Sequence, residues 1–212
     1  MSISEIYEKF IDGMLRTTLL EYVAVFTGIA SVWFSRIENI WVYPVGLVST
    51  IIYTYLSLTV HLPGEATVNI YYSAMSVYGW ILWAKKDRSN HHVVVIQHAT
   101  GKEWLHHLLF FSSFYLGLFS ALTWLHSFFS TEIIPWADAL ASATAFTGMW
   151  LMAKKKVESW FWWIATNISS IPLYFVKGYV FTSVFYFILL LMAGFGWAEW
   201  NKRAYQARQG RA

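Results

Sequence analysis

The sequence predicts an all-α integral membrane protein: seven transmembrane helices, laid out as two parallel three-helix repeats joined by a linker helix. Three observations carry that expectation. Apolar residues make up 57% of the 212-residue chain and only 27 residues are charged, a composition outside the range of soluble domains. The charges fall between apolar runs of helix length. A set of aromatic and glycine landmarks also occurs twice, in the same order.

The elements follow from the spacing of the charges. In residues 1–16, Ile3, Ile6, Tyr7, Phe10, Ile11 and Met14 recur at helical spacing, while Glu5, Glu8, Lys9, Asp12 and Arg16 interrupt them. A signal peptide has a basic start and an unbroken apolar centre. This segment instead reads as an amphipathic helix in the membrane interface, with a short extension of the first crossing as the alternative. Uncharged runs span 39–64, 66–84, 104–131, 159–176 and 178–198, each of at least 18 residues, enough for a helix to cross about 30 Å of hydrocarbon. Segments 17–35 and 133–153 carry one acid each, Glu21 and Asp138, near one end. A soluble core helix reaches this apolarity once in a chain, not seven times. The units are therefore 1–16, a first repeat 17–86, a loop and linker helix 87–132, a second repeat 133–203, and a basic tail 204–212.

Seven crossings sort the basic residues onto two faces. One face holds Arg36, Lys85, Lys86, Arg88, Lys102, Lys154–Lys156, Lys202, Arg203, Arg208 and Arg211, 12 in all, and the other only Lys9, Arg16 and Lys177. Positive residues stay in the cytoplasm, so the N-terminus is expected outside and the C-terminus inside. The basic residues need no further role, and a net charge of only +3 gives no broad face for nucleic acid.

Phe26-Thr27-Gly28 recurs as Phe146-Thr147-Gly148, Trp41 is matched with Trp160, and Gly79-Trp80-x-x-Trp83 is matched with Gly196-Trp197-x-x-Trp200. One unmatched helix lies between the units, so both point the same way across the membrane. Parallel repeats of this kind belong to transporters that hold substrate near the midplane. A duplicated receptor or structural bundle is the competing reading.

The sixth crossing places Trp160, Trp163 and Asn167 on one helical face. Asn167 falls near the middle of its span, where an unpaired amide facing lipid costs several kcal/mol. It must face protein, water or ligand. The tryptophans make a wall that can stack on a flat ring or hold a cation, worth up to about 2 kcal/mol when dry. Singly, each has a plainer explanation: Trp160 as an interfacial anchor, Trp163 as packing, Asn167 as a bond between helices. The first repeat is expected to place Trp41, Pro44 and Val48 at the matching positions, leaving Trp163 and Asn167 unique to the second copy. Ser49 and Tyr53 in the second crossing, Asn69, Tyr72 and Ser76 in the third, and Tyr186 in the seventh complete the candidate binding set. No acid lies centrally in a crossing, which favours passage without ion coupling.

The chain has no cysteine, hence no disulfide, thiolate metal site or cysteine nucleophile. Of the seven histidines, His91, His92 and His98 fall in a loop, and the adjacent His106 and His107 diverge by about 100° on a helix. No metal or cofactor is expected. Without G-x-S-x-G, H-E-x-x-H or a central aspartate pair, there is no machinery for an enzyme.

Three stretches together resemble the PnuC vitamin transporters: Trp160-x-x-Trp163-x-x-x-Asn167 after Val157-Glu158-Ser159, Tyr78-Gly79-Trp80-x-x-Trp83, and Trp41-x-x-Pro44-x-Gly46. The resemblance runs from about Glu21 to Arg203. It implies a full-length relative of the SWEET fold with a 3+1+3 plan, in the inner membrane of a bacterium. It also implies a homo-oligomer, a trimer being one option, embedded in membrane lipid. The implied substrate is nicotinamide riboside, taken up by facilitated diffusion and trapped when a cytosolic vitamin kinase phosphorylates it. Where the family often places glutamine and asparagine in the third helix, this chain has Asn69 and Ser76, and an asparagine common in the second helix is replaced by Ser49 or Thr50. Thiamin, another flat aromatic cation, is the alternative substrate. A binding subunit of an ATP-driven importer and a sugar carrier stand further back.

Overall fold

The computed structural model describes residues 3–59, 63–128 and 134–209. They form eight helices: α1 Ile3–Arg16, α2 Leu19–Arg36, α3 Val42–Thr59, α4 Pro63–Ala84, α5 Gly101–Phe128, α6 Pro135–Ala153, α7 Ser159–Val176 and α8 Val180–Gln209. The uncharged run 39–64 thus divides, its last two residues, Pro63 and Gly64, opening α4 rather than closing α3. The start of the basic tail, 204–209, continues α8 instead of standing apart from it, and 210–212 lie outside the described residues.

Helix α1 has no buried residue and meets α2 at 105°. The corner is built by a capping box: Thr18 accepts from the Glu21 backbone N–H, and the Glu21 carboxylate accepts from that of Thr18. Phe10 packs on Phe181 at 5.7 Å, and the Tyr22 hydroxyl donates to the Met14 carbonyl. The first contact holds α1 beside the start of α8, and the second ties it back to α2.

Among the described residues, three helices, α3, α5 and α8, are long and apolar enough by hydropathy to cross a membrane. Helices α2, α4, α6 and α7 have 18, 22, 19 and 18 residues, or about 27 Å and more at 1.5 Å per residue. Serine, threonine, tyrosine and tryptophan dilute their hydropathy.

Packing is reciprocal. Helix α3 lies against α2 and α4, and α7 against α6 and α8. The halves join through α2 with α8 and α4 with α6, while α5 covers α6. The internal match is tighter than the sequence landmarks suggested, and its register differs from them. Tyr43 stands edge-on to Trp83 at 5.2 Å and 87°, and Trp160 edge-on to Trp200 at 5.5 Å and 90°. A Cβ on Gly79 would collide with the Tyr43 ring, and one on Gly196 with the Trp160 ring. The counterpart of Trp160 is therefore Tyr43, not Trp41, which is 58% exposed. All three pairs share one offset of 117 residues. The helix ends agree: α2 has its C-cap at Ile37 and α6 at Lys154. In this register Phe26-Thr27-Gly28 faces Ala143-Thr144-Ala145, and the repeated tripeptide at Phe146 lies one turn out of phase. In the same register Trp163 and Asn167 correspond to Gly46 and Thr50.

Both first helices end alike. The N–H groups of Glu38 and Asn39 donate to Ser35 and Phe34, and those of Lys155 and Lys156 to Met152 and Leu151. This is the paired closing pattern of a helix C-terminus, which needs a left-handed residue and usually takes glycine. Here Glu38 (φ 61°) and Lys155 (φ 52°) occupy it.

Candidate functional site

Helix α7 aligns Trp160, Trp163, Asn167, Ser170 and Tyr174 at spacings of three and four, one stripe facing the bundle. The structure gives these positions different neighbours. Trp160 is 1% exposed and wedged between Gly196 and Trp200 in the aromatic core, with Tyr43, Trp83, Met152 and Val157 in the same cluster. It forms a floor beneath the candidate site.

One turn further, Trp163 lies across Gly148, whose missing Cβ lets α6 approach the indole; an added carbon would stand 3.2 Å from the ring. Trp163 also meets Tyr72 of α4, at 6.4 Å between ring centroids. Tyr72 meets Phe146 edge-on at 6.0 Å, and Phe146 packs on Tyr71 at 4.1 Å. The structure thus brings together Trp163 and Tyr72, from different halves.

Asn167 is 3% exposed, and among the described residues its amide makes no hydrogen bond. Its neighbours Thr166 and Ser170 are buried, with Thr166 donating to the Thr144 hydroxyl at 3.0 Å. Tyr186 stacks on Tyr174 at 5.2 Å and 13°, two turns beyond Asn167, and Tyr53 is half-buried on α3. The pairing with Tyr174 escaped the sequence reading. Extending the tryptophan–asparagine stripe by seven residues would have found it.

Three other candidates are engaged or apart. The Ser49 hydroxyl donates to the Ala24 carbonyl at 2.8 Å, and the Asn69 amide to the Glu65 carbonyl at 2.9 Å in its own helix. Ser76 is buried on α4, one turn beyond Tyr72. Thr50, the counterpart of Asn167, shares a 2.8 Å bond with Ser73.

Charge is confined to the two ends. At one, Lys177 pairs with Asp138 at 2.7 Å. At the other, Lys155 pairs with Glu38 at 2.6 Å, and Lys156 with Glu103 at 2.7 Å. Lys154 sits 3.9 Å over the Trp150 ring, where burial, reinforced by Lys156, pushes its ammonium below the ordinary lysine value. The histidines of the 85–100 segment serve the same end. His92 Nδ1 meets the Trp83 carbonyl at 3.1 Å, and His98 Nδ1 meets the Glu158 carboxylate at 3.1 Å.

An aromatic pair beside a buried amide, with charge held to the ends, suits a neutral or cationic flat molecule. The sequence model described as the nicotinamide mononucleotide transporter family matches residues 18–202. The chain is similar to the nicotinamide riboside transporter PnuC of Neisseria mucosa, with 27% identity over 86% of this chain and 72% of that protein. It is also similar to the riboflavin/roseoflavin transporter RibM of Streptomyces davaonensis, with 25% identity over 79% and 77%. Its fold matches the crystal structure of the vitamin B3 transporter PnuC at a TM-score of 0.69, covering 96% of this chain and 90% of that one at 24% identity. These relatives are transporters rather than enzymes. The chain belongs to the PnuC family of multi-pass membrane transporters.

Proposed function

We propose that this protein carries nicotinamide riboside across the bacterial inner membrane by facilitated diffusion, and that a cytosolic kinase traps the product. The observation that carries the reading is Trp163 beside Tyr72 at 6.4 Å, with Asn167 buried one turn away on the same helix. A pyridinium ring stacks on such aromatics, and the ring quadrupole favours its charge by about 1–2 kcal/mol in a dry site. The Asn167 amide can both donate to and accept from a carboxamide or ribose hydroxyl. Relatives named as nicotinamide riboside transporters support the same cargo.

The charge pattern argues for the riboside over its mononucleotide. A phosphate needs a cation along its path, whereas Lys177 and Lys155, at opposite ends, are already neutralised by Asp138 and Glu38. The same pattern supports uncoupled transport. In the proposed topology α2–α8 each cross the membrane, in a 3+1+3 plan, with α1 in the interface. The basic face lies in the cytoplasm and the N-terminus outside. Copies of the chain assemble as a homo-oligomer.

The second reading is riboflavin, favoured by the similarity to RibM; thiamin stays as a third cargo to test. Purified protein in liposomes, given labelled nicotinamide riboside, its mononucleotide, riboflavin and thiamin, separates them. Saturable riboside flux that equilibrates without ion gradient or ATP is expected. Riboflavin or thiamin flux without riboside flux would replace the substrate, and a need for ATP would replace the mechanism.

A further inference from the structure

The residues nearest the internal twofold relation touch their own counterparts. Ser35 and Met152 are 117 positions apart, and the Ser35 hydroxyl lies 2.9 Å from the Met152 sulfur. Glu38 and Lys155 are also 117 apart, and they form the 2.6 Å ion pair. Around them the contacts are exchanged between halves. Trp83 donates through Nε1 to the Ala153 carbonyl at 3.1 Å, and Trp200 to the Ser35 and Arg36 carbonyls at 3.0 and 3.2 Å. In each case the third helix of one half holds the end of the first helix of the other.

We infer that the Glu38–Lys155 pair, backed by Tyr43, Trp83, Trp160 and Trp200, is the closed gate of the substrate path on the basic face, opened when the two halves part there. The inference rests on the transport reading for its purpose. Three observations carry it. First, both residues stand in left-handed conformations, φ 61° and 52°, at positions that helix ends normally give to glycine. An acid and a lysine held there against that preference point to a need for the side chains.

Second, Glu38 ties the two halves together through ion pairs. Glu38 bonds Lys155 and Arg203, both from the second half, whereas Lys177–Asp138 at the far end lies within the second half. Lys155 also sits 4.5 Å over the Trp83 ring, so its charge is shared between an acid and an aromatic of the first half. Third, the aromatic floor contains two buried polar atoms at equivalent positions, Tyr43 Oη and Trp160 Nε1, with no hydrogen-bond partner among the described residues. Closure leaves both unsatisfied, and water entering an opened path would satisfy them. The closed state is thereby kept from being too stable to open.

The absence of cysteine gives a direct test. Ile164, one turn from Trp160 and packed against the aromatic cluster, becomes the single thiol in Ile164→Cys. A membrane-impermeant maleimide is applied from the basic face in proteoliposomes, with no substrate present. Adding Glu38→Gln with Lys155→Gln is expected to speed labelling at least tenfold. Glu38→Gly with Lys155→Gly is expected to label as fast, with a melting temperature at or above that of the glutamine pair because the left-handed positions are relaxed. If either folded double variant labels at the parent rate, the gate assignment is overturned. A lower melting temperature with unchanged labelling is the signature of a purely structural pair. Riboside flux is scored separately, so fast labelling in a protein that moves no riboside rejects the cargo and keeps the gate.

Discussion

The two halves use one scaffold and part company one turn away from it. Tyr43, Gly79 and Trp83 in the first half do what Trp160, Gly196 and Trp200 do in the second: a ring laid on a glycine, edge-on to a tryptophan that reaches across to the other half. Three and seven residues further along α3 and α7, Gly46 and Thr50 oppose Trp163 and Asn167. Thr50 has its bond to Ser73, while Asn167 is buried with none among the described residues. What both copies keep holds the bundle. What one copy alone carries is where a ligand is expected.

The shared scaffold is the place for the largest effect. Gly196→Val and Gly79→Val each drive carbon atoms into an aromatic ring, and overpacking of this kind costs about 1–3 kcal/mol or more. Both variants are expected to lose most of their folded yield and to melt well below the parent in detergent. If one half tolerated its valine, the equivalence of the two scaffolds would be broken.

Divergent positions should affect binding instead. Asn167→Leu keeps the volume and removes the amide, so the protein folds while riboside affinity falls about 100-fold, the scale of a buried bond to a charged or strongly polar group. Thr50→Val, its counterpart, is expected to lower stability by about 1 kcal/mol through the bond lost to Ser73. Equal affinity losses in the two variants, read by titration calorimetry, would remove the asymmetry. Trp163→Phe retains a ring but weakens the quadrupole, so affinity should drop about five- to tenfold, or about 1 kcal/mol. Trp160→Phe should register in melting temperature, since that indole fills the floor.

Much of this is legible in the sequence. Apolar runs between charges located α7 to the residue, because a membrane helix ends where charge begins. The tryptophan–asparagine stripe was legible too, since helical spacing fixes which residues share a face. The register of the repeat was not. Trp41 matched Trp160 by letter, whereas the structural partner is Tyr43; packing conserves a flat ring on a glycine, not a particular ring. The same-letter tripeptide at Phe26 and Phe146 misled for the same reason, falling one turn out of phase. Nor could spacing show that Ser49 and Asn69 spend their polar groups on backbone carbonyls. Helical serines and asparagines bond to nearby turns or to neighbouring helices alike, and only geometry separates the two.

The smallest expected difference lies at the end away from the basic face, where the halves again share a device and one copy adds to it. Glu21 and Asp138 are 117 apart, and each carboxylate accepts a backbone N–H at the start of its helix, from Thr18 and Ile134. Such caps are worth about 1 kcal/mol. Asp138 has a further task, holding Lys177 at 2.7 Å with both side chains largely shielded. Glu21→Gln should therefore lower stability by a few tenths of a kcal/mol, since an amide oxygen still accepts. Asp138→Asn should cost about 1 kcal/mol more, because it leaves a partly buried ammonium without its counter-charge. Only the second loss should shrink as salt screens the remaining charges. A pair of melting curves at low and high salt decides it: identical salt response in both variants would mean that the ion pair contributes nothing beyond the cap.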